Sequence, residues 1–213
     1  LGRSGVGTVL TMLGEEVTDA GAARRVVADY RDAARRIATS GLDAELSVKP
    51  THLGIGGVPA VTEAAIVELA RAAEGRGRKL WIDMEGSVWT DATLDLARRA
   101  REASPAVGVC VQANLRRTEA DLAALLPLGV SIRLVKGAYL EPTSIAFDRK
   151  RDVDASYTRL ARRILEHASS SAADGDGVAP RYAFGTHDEA IIDGLRADGL
   201  GRVPRCEVQM LYG

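Results

Sequence analysis

Short β-branched, apolar runs alternate with longer stretches of helical periodicity along this chain. The runs fall at Glu45–Lys49, Leu80–Glu85, Val107–Gln112, Ser131–Lys136, Arg181–His187 and Cys206–Leu211. Helical patterns lie around residues 61–74, 90–103, 118–127, 152–172 and 188–198. A further helix is expected ahead of the first run, over Glu15–Ser40, with Thr18 or Asp19 as N-cap and Gly41 as its stop. Its apolar positions are Val26, Val27, Tyr30, Ala34 and Ile37. Residues 1–14, LGRSGVGTVLTMLG, are glycine-rich and begin abruptly, as in a segment cut from something longer. Regular alternation of strand and helix predicts an α/β fold with a parallel sheet.

Two architectures share that alternation, and the strand ends separate them. A doubly wound sheet gathers its chemistry at one switch point, whereas in a (β/α)8 barrel every strand can deliver a residue to one mouth. Here each of the six runs carries polar chemistry at or near its carboxyl end: Lys49, Asp83 with Glu85, Gln112, Lys136 with Arg133 upstream, Thr186 with His187, and Gln209. No G-x-G-x-x-G joins a strand to a helix, and the GIGG at 54–57 has the wrong spacing. The expectation is a TIM-like (β/α)8-type barrel with six of its eight strands visible, forming one domain over residues 1–213 that is incomplete at both ends.

Composition narrows the chemistry. At 213 residues and 46% hydrophobic the chain can bury one sizeable core. Lys and Arg number 28 against 29 Asp and Glu, a formal charge of -1 with no field suited to nucleic acid or anionic lipid. Aromatic residues are 4%, so stacking surfaces for bases are scarce. Cys110 and Cys206 have no C-x-x-C spacing, which reads as a reduced, cytoplasmic protein with no metal site. No apolar run approaches the roughly 20 residues that span a bilayer, and no signal-peptide h-region opens the chain.

The stretch SIRLVKGAYLEP, 131–142, carries the strongest anomaly, because Arg133 sits inside an otherwise apolar run. A guanidinium cannot be deprotonated and is costly to bury, so it calls for an anion, a carboxylate partner or an electron-rich ligand. An internal ion pair holding a barrel strand is the alternative. Gly137 and Ala138 let backbone approach a ligand, and Lys136 adds a second cation. Two loops are long: Pro142–Asp152 reads as a flap over a barrel mouth or as solvated surface. Ser169–Pro180 is low-complexity and expected to be mobile.

LSVKPTHLG (46–54), WIDMEGSVWTDATL (81–94), VCVQANLRRTEADL (109–122), RLVKGAYLEP (133–142), FGTHDEAII (184–192) and EVQMLYG (207–213) resemble the successive strand-end motifs of the FAD-dependent proline dehydrogenases, most closely the monofunctional bacterial type. The resemblance implies a distorted (β/α)8 barrel that holds FAD at its mouth and oxidises L-proline to Δ1-pyrroline-5-carboxylate. Electrons would pass to a quinone, with peripheral contact at the inner membrane face.

Residue by residue, the resemblance places Arg133 beside the flavin N5 edge, where a fixed cation favours electron build-up on the reduced ring. Gln112 matches the glutamine that bonds the flavin ring, although closing a strand is a common fate for Gln. Val135, Lys136, Gly137 and Ala138 would line the cofactor, with Lys136 reaching phosphate or ribityl oxygens. Thr186 and His187 match the element that contacts diphosphate and ribose; on its own, His187 followed by Asp188 reads as a helix cap. Gln209 and Leu211 match the segment bordering flavin and substrate. Lys49 matches the lysine that holds the proline carboxylate. Asp83 matches the aspartate bordering the substrate amine, or pairs with Arg133 or Lys49 to set their positions.

The chain departs from the family where it ends. Members continue past QMLYG with two more strands and a helix bearing Y-x-x-R-R, whose arginines clamp the substrate carboxylate. The expectation is therefore a fragment of a longer product. Gly185, Cys206 and Val208 also depart from the residues usual at their positions. A hydroxyproline or other cyclic secondary amine dehydrogenase, and a non-catalytic flavin-binding barrel, are the competing readings.

Overall fold

The computed structural model describes residues 5–170 and 179–212. They fall into two compact units, one of residues 1–85 with 89–108 and the other of 86–88 with 109–213. In the first, strands β1 (Thr8–Thr11), β2 (Ala44–Val48) and β3 (Leu80–Ile82) lie side by side in chain order and parallel, with Thr8 opposite Ala44 and Leu46 opposite Leu80. Helices α1 (Ala20–Ser40), α2 (Pro59–Glu74) and α3 (Thr90–Ala103) follow the three strands.

The sequence explains where these elements start and stop. Asp19 caps α1 by accepting from Ala22 N at 2.7 Å, and Gly41 ends it at φ 68°, a left-handed conformation that a side chain would resist. Glu15–Thr18 therefore lie outside the helix that Glu15–Ser40 was expected to form. Ala23, Val27, Tyr30 and Ile37 make its buried face. Tyr30 Oη donates to Ser47 O at 3.1 Å and accepts from Met12 N at 3.2 Å, which fastens the chain after β1 to both α1 and β2. α2 opens on Pro59, whose missing N–H costs nothing in the first turn. β2 is buried along its whole length, so the carboxylate of Glu45 is satisfied internally, by Lys79 N at 2.8 Å and Trp81 Nε1 at 2.9 Å.

In the second unit β4 (Val107–Gln112, its first two residues belonging to the first unit), β5 (Ser131–Val135), β6 (Tyr182–Gly185) and β7 (Cys206–Gln209) again follow chain order. β5, β6 and β7 are parallel, with Ile132 opposite Tyr182 and Tyr182 opposite Cys206. Past β4, Ala113 N and Asn114 N donate to Val135 O and Lys136 O at 2.8 and 2.9 Å. α4 (Thr118–Leu125), α5 (Lys150–Ser170) and α6 (Glu189–Ala197) complete the unit. α5 buries Tyr157, Leu160, Ala161, Ile164 and Leu165 on one side.

One expectation, the count of six visible strands, changes. β1 adds a seventh strand among the described residues, in a stretch whose glycines and short length concealed it. The loop from Pro142 to the start of α5 is mostly exposed and is anchored at three points: Arg116 N donates to Ile145 O at 2.9 Å, Phe147 N to Asn114 O at 2.8 Å, and the Arg116 guanidinium lies 4.5 Å over the Phe147 ring. The low-complexity segment expected to be mobile lies, over 171–178, outside the described residues. No helix among the described residues is long and apolar enough to cross a membrane.

A Cβ on Gly57 would stand 2.2 Å from Thr18 O, a backbone atom that cannot step aside. Gly57→Ala is expected to destabilise the fold by about 1–3 kcal/mol. Gly75→Ala, where the nearest atom is 3.8 Å away and the backbone is αR, is expected to be neutral or slightly stabilising. Chemical denaturation of both variants checks the pair.

Candidate active site

Parallel strands that follow one another in chain order bring their carboxyl ends to one edge, and both units use that edge for polar side chains. In the first unit Asp83 follows β3 and its backbone N–H donates to Val48 O at 2.9 Å. Ser47, buried in β2, donates from Oγ to Asp83 Oδ1 at 2.8 Å. Lys49 follows β2 directly, and its half-buried ammonium pairs with the carboxylate of Glu15. The chain that carries Glu15 is itself held to the strand end, since Glu16 N donates to Thr51 Oγ1 at 3.1 Å and Val17 N to Thr51 O at 3.0 Å.

Beneath it, Glu85 is fully buried and accepts from Thr51 through both N–H, at 2.9 Å, and Oγ1. Burial pushes the Glu85 carboxyl above the usual carboxylate range, and the two Thr51 hydrogen bonds pull it only part of the way back. Burial, then the Lys49 charge, lowers His52, whose ring fills the space a side chain on Gly14 would need, 2.3 Å from its Cβ position.

The second unit gathers most of the remaining candidates. Arg133 sits in β5 at 9% exposure, and its Nη1 donates to Cys110 Sγ at 3.4 Å. Gln112 closes β4 at 2% exposure. Val135 ends β5, half-buried, and Gly137 follows at φ 109°, where a Cβ would stand 2.1 Å from Asn114 Oδ1. That Asn114 oxygen is buried and has no hydrogen-bond partner among the described residues. Ala138 is exposed.

Lys136 Nζ donates to Asp154 Oδ1 at 2.5 Å and to Asp188 Oδ2 at 2.8 Å. Thr186 is buried; its N–H donates to Gln209 O at 3.2 Å and its Oγ1 accepts from Asp188 N at 3.1 Å. His187 is exposed, and its Nε2 accepts from Leu211 N at 3.0 Å. Asp188 caps α6, as the residue types suggested, while also binding lysine, and those hydrogen bonds from Lys136 and Lys150 hold its carboxyl down to about 2. Gln209 turns its amide to Glu207 Oε1 at 2.7 Å, and the Leu211 side chain stands in solvent.

A family model for proline dehydrogenase matches this chain over residues 1–213. The chain belongs to the proline dehydrogenase family. It is 31% identical over 217 residues to proline dehydrogenase 2 of Bacillus subtilis (strain 168), covering 100% of this chain and 68% of that protein. It is 32% identical over 222 residues to a proline dehydrogenase of Deinococcus radiodurans, again with 100% and 68% covered. Among solved structures it is similar to proline utilization A from Bdellovibrio bacteriovorus inactivated by N-propargylglycine, with TM-score 0.80, 21% identity, and 99% of this chain against 26% of that one covered. A proline utilization A structure with proline bound in remote sites gives TM-score 0.81 at 22% identity and 24% of its length. This chain thus spans about a quarter of the solved chains it matches, and the likeness shows the fold: a TIM-like α/β barrel architecture.

Membership implies a flavin cofactor, and the residues of the second unit fit one. A buried guanidinium, a buried Asn114 amide oxygen without a partner among the described residues and a glycine with no room for a side chain together suit an electron-rich, hydrogen-bonding ring. Sequence reasoning missed Glu15, Ser47, Asn114, Asp154 and Lys150. The helical pattern takes in Glu15, whereas Asp19, the better cap four residues later, is the signal that it lies outside.

Because the folded pKa of Glu85 is raised, folding takes up a proton there, and stability falls as pH rises from the unfolded carboxylate value through the folded one. Glu85→Gln removes that titration while leaving an amide to face Thr51. The stability of the wild type relative to this variant is therefore expected to increase as pH is lowered from 7 to 5, measured by urea denaturation across that range.

Proposed function

We propose that this chain carries the cofactor- and substrate-binding residues of an FAD-dependent oxidoreductase that converts L-proline to Δ1-pyrroline-5-carboxylate and passes the electrons to a quinone. The observation that carries the reading is Arg133, a cation in the middle of a buried strand at the centre of the family motif, with Gln112 and Gly137 at the neighbouring strand ends of the same unit. When bound, the flavin supplies the acceptor for the hydride that leaves the substrate carbon beside nitrogen. Arg133 would hold a fixed positive charge by the ring edge that gains electrons, and Gln112 would bond the ring. Val135, Lys136, Gly137, Ala138, Thr186, His187 and Gln209 complete the proposed cofactor contacts.

Lys49 would hold the substrate carboxylate. Its partner in the chain is a carboxylate, that of Glu15, which supports the reading because the substrate would offer the same chemical group. Asp83, oriented by Ser47, would hold the substrate nitrogen, and Leu211 would border the ring. A quinone acceptor brings with it peripheral contact of a cytoplasmic protein with the membrane face.

The absorption spectrum of the purified protein tests this reading: an oxidised flavin band is expected, and anaerobic L-proline is expected to bleach it faster than hydroxyproline does. A band that persists with proline would make the protein a flavin binder without this activity. Arg133→Met keeps an apolar side chain of similar length in β5, so the fold is expected to survive while flavin reduction slows in stopped-flow traces. Lys49→Ala is expected to raise the KM for proline about tenfold to a hundredfold, the loss of one charge-assisted hydrogen bond to a carboxylate. An unchanged KM would assign Lys49 to structure.

A further inference from the structure

Four charged side chains of the second unit close into a ring. Lys136 Nζ donates to Asp154 Oδ1 at 2.5 Å and Asp188 Oδ2 at 2.8 Å, while Lys150 Nζ donates to Asp154 Oδ2 at 2.5 Å and Asp188 Oδ2 at 3.2 Å. Each lysine touches both aspartates. Two positive and two negative charges cancel, and the side chains of Lys136, Asp154 and Asp188 are between 22% and 28% exposed, with Lys150 at 76% closing the ring from outside. Burial by itself would raise the Asp154 carboxyl, but the hydrogen bonds from the two lysines hold it below its ordinary value.

The ring joins three elements. Lys136 is the first residue after β5, Asp154 lies near the start of α5, and Asp188 is the N-cap of α6. Asp188 also fixes the turn before that helix, since its other carboxylate oxygen accepts from Ile191 N at 3.4 Å and its N–H donates to Thr186 Oγ1 at 3.1 Å. Sharing both carboxylates removes the rotamer freedom that would otherwise let a four-carbon lysine chain wander. An isolated exposed ion pair contributes little to stability, so two pairs would not need this closed arrangement to keep α5 in place. What the arrangement does is set the place of one ammonium relative to one turn.

We propose that Asp154 is a positioning residue for the cofactor diphosphate: it holds the Lys136 ammonium, together with Lys150 and Asp188, at a fixed place relative to the Thr186–His187–Asp188 turn. This rests on the reading of the chain as a flavoenzyme. The sign of the effect separates positioning from charge. Removing Asp154 leaves the surroundings of Lys136 one unit more positive, so a role confined to Coulomb repulsion predicts tighter binding of a diphosphate, whereas lost positioning predicts weaker binding.

The test is a fluorescence titration of FAD and of riboflavin into the whole flavin-stripped protein that carries this chain, as wild type and as Asp154→Asn. Riboflavin has the same ring and no phosphate. The variant is expected to bind FAD about tenfold more weakly and riboflavin unchanged, as for the loss of a charge-assisted hydrogen bond. Asp154→Glu, which keeps the charge and lengthens the side chain, is expected to shift the ratio the same way and serves if the asparagine variant does not fold. An unchanged or tightened FAD affinity, or an equal loss for both flavins, overturns the positioning role while leaving the flavoenzyme reading in place. A wild type that binds neither flavin overturns that reading and this proposal with it.

Discussion

A strand buried on both faces can keep a polar side chain only where that side chain has a partner, and this constraint organises each unit of the chain. β2 is buried at all five positions, so Glu45 is bonded at one end and Ser47 is committed to Asp83 near the other. β5 carries Arg133 under the same rule, and its Nη1 donates to the Cys110 sulfur. Helices cover the strands, leaving the carboxyl ends as the place where charge can gather without cost to the core. Lys49, Lys136 and His187 are there for that reason.

The two units handle their cations differently. Lys49 meets a single carboxylate, Glu15, presented by a strand-free segment that Thr51 and Tyr30 hold in place. Lys136 meets two, and a second lysine shares them. One carboxylate leaves an ammonium able to exchange its partner for a ligand of the same kind, which suits the substrate role proposed for Lys49. Two shared carboxylates fix an ammonium in place, which suits the cofactor role proposed for Lys136. Asn114 and Gly137 add a third kind of place, a buried oxygen without a partner among the described residues beside a backbone with no side chain, which is where the proposed flavin ring would lie.

Much of this was legible in the sequence. Short unbroken apolar runs set against a 3.6-residue period gave six of the strands and the helices between them, because a strand buried on both faces is apolar throughout while a helix buries one face. The polar residue closing each run marked the edge where polar side chains gather, and Arg133 was conspicuous because no apolar strand carries a guanidinium without a reason. Asp19 and Asp188 were recognisable as caps by residue type. β1 escaped, since four residues flanked by glycine carry too little periodicity to register, and its pairing with β2 is a contact 36 residues away in sequence, Thr8 opposite Ala44.

Local chemistry, then, is what the sequence determined by itself: which segments are strands, where helices begin, and which side chains cannot be core. Partnership is what only the tertiary structure decided. Glu15 against Lys49, Ser47 against Asp83 and Asp154 against Lys136 join residues 34, 36 and 18 positions apart. An aspartate in the exposed pattern of a helix looks the same to any periodicity whether it faces water or a lysine at the end of the preceding strand. The difference is set by how the helix docks, and docking is a sum over the apolar contacts of whole elements that no short window of sequence contains.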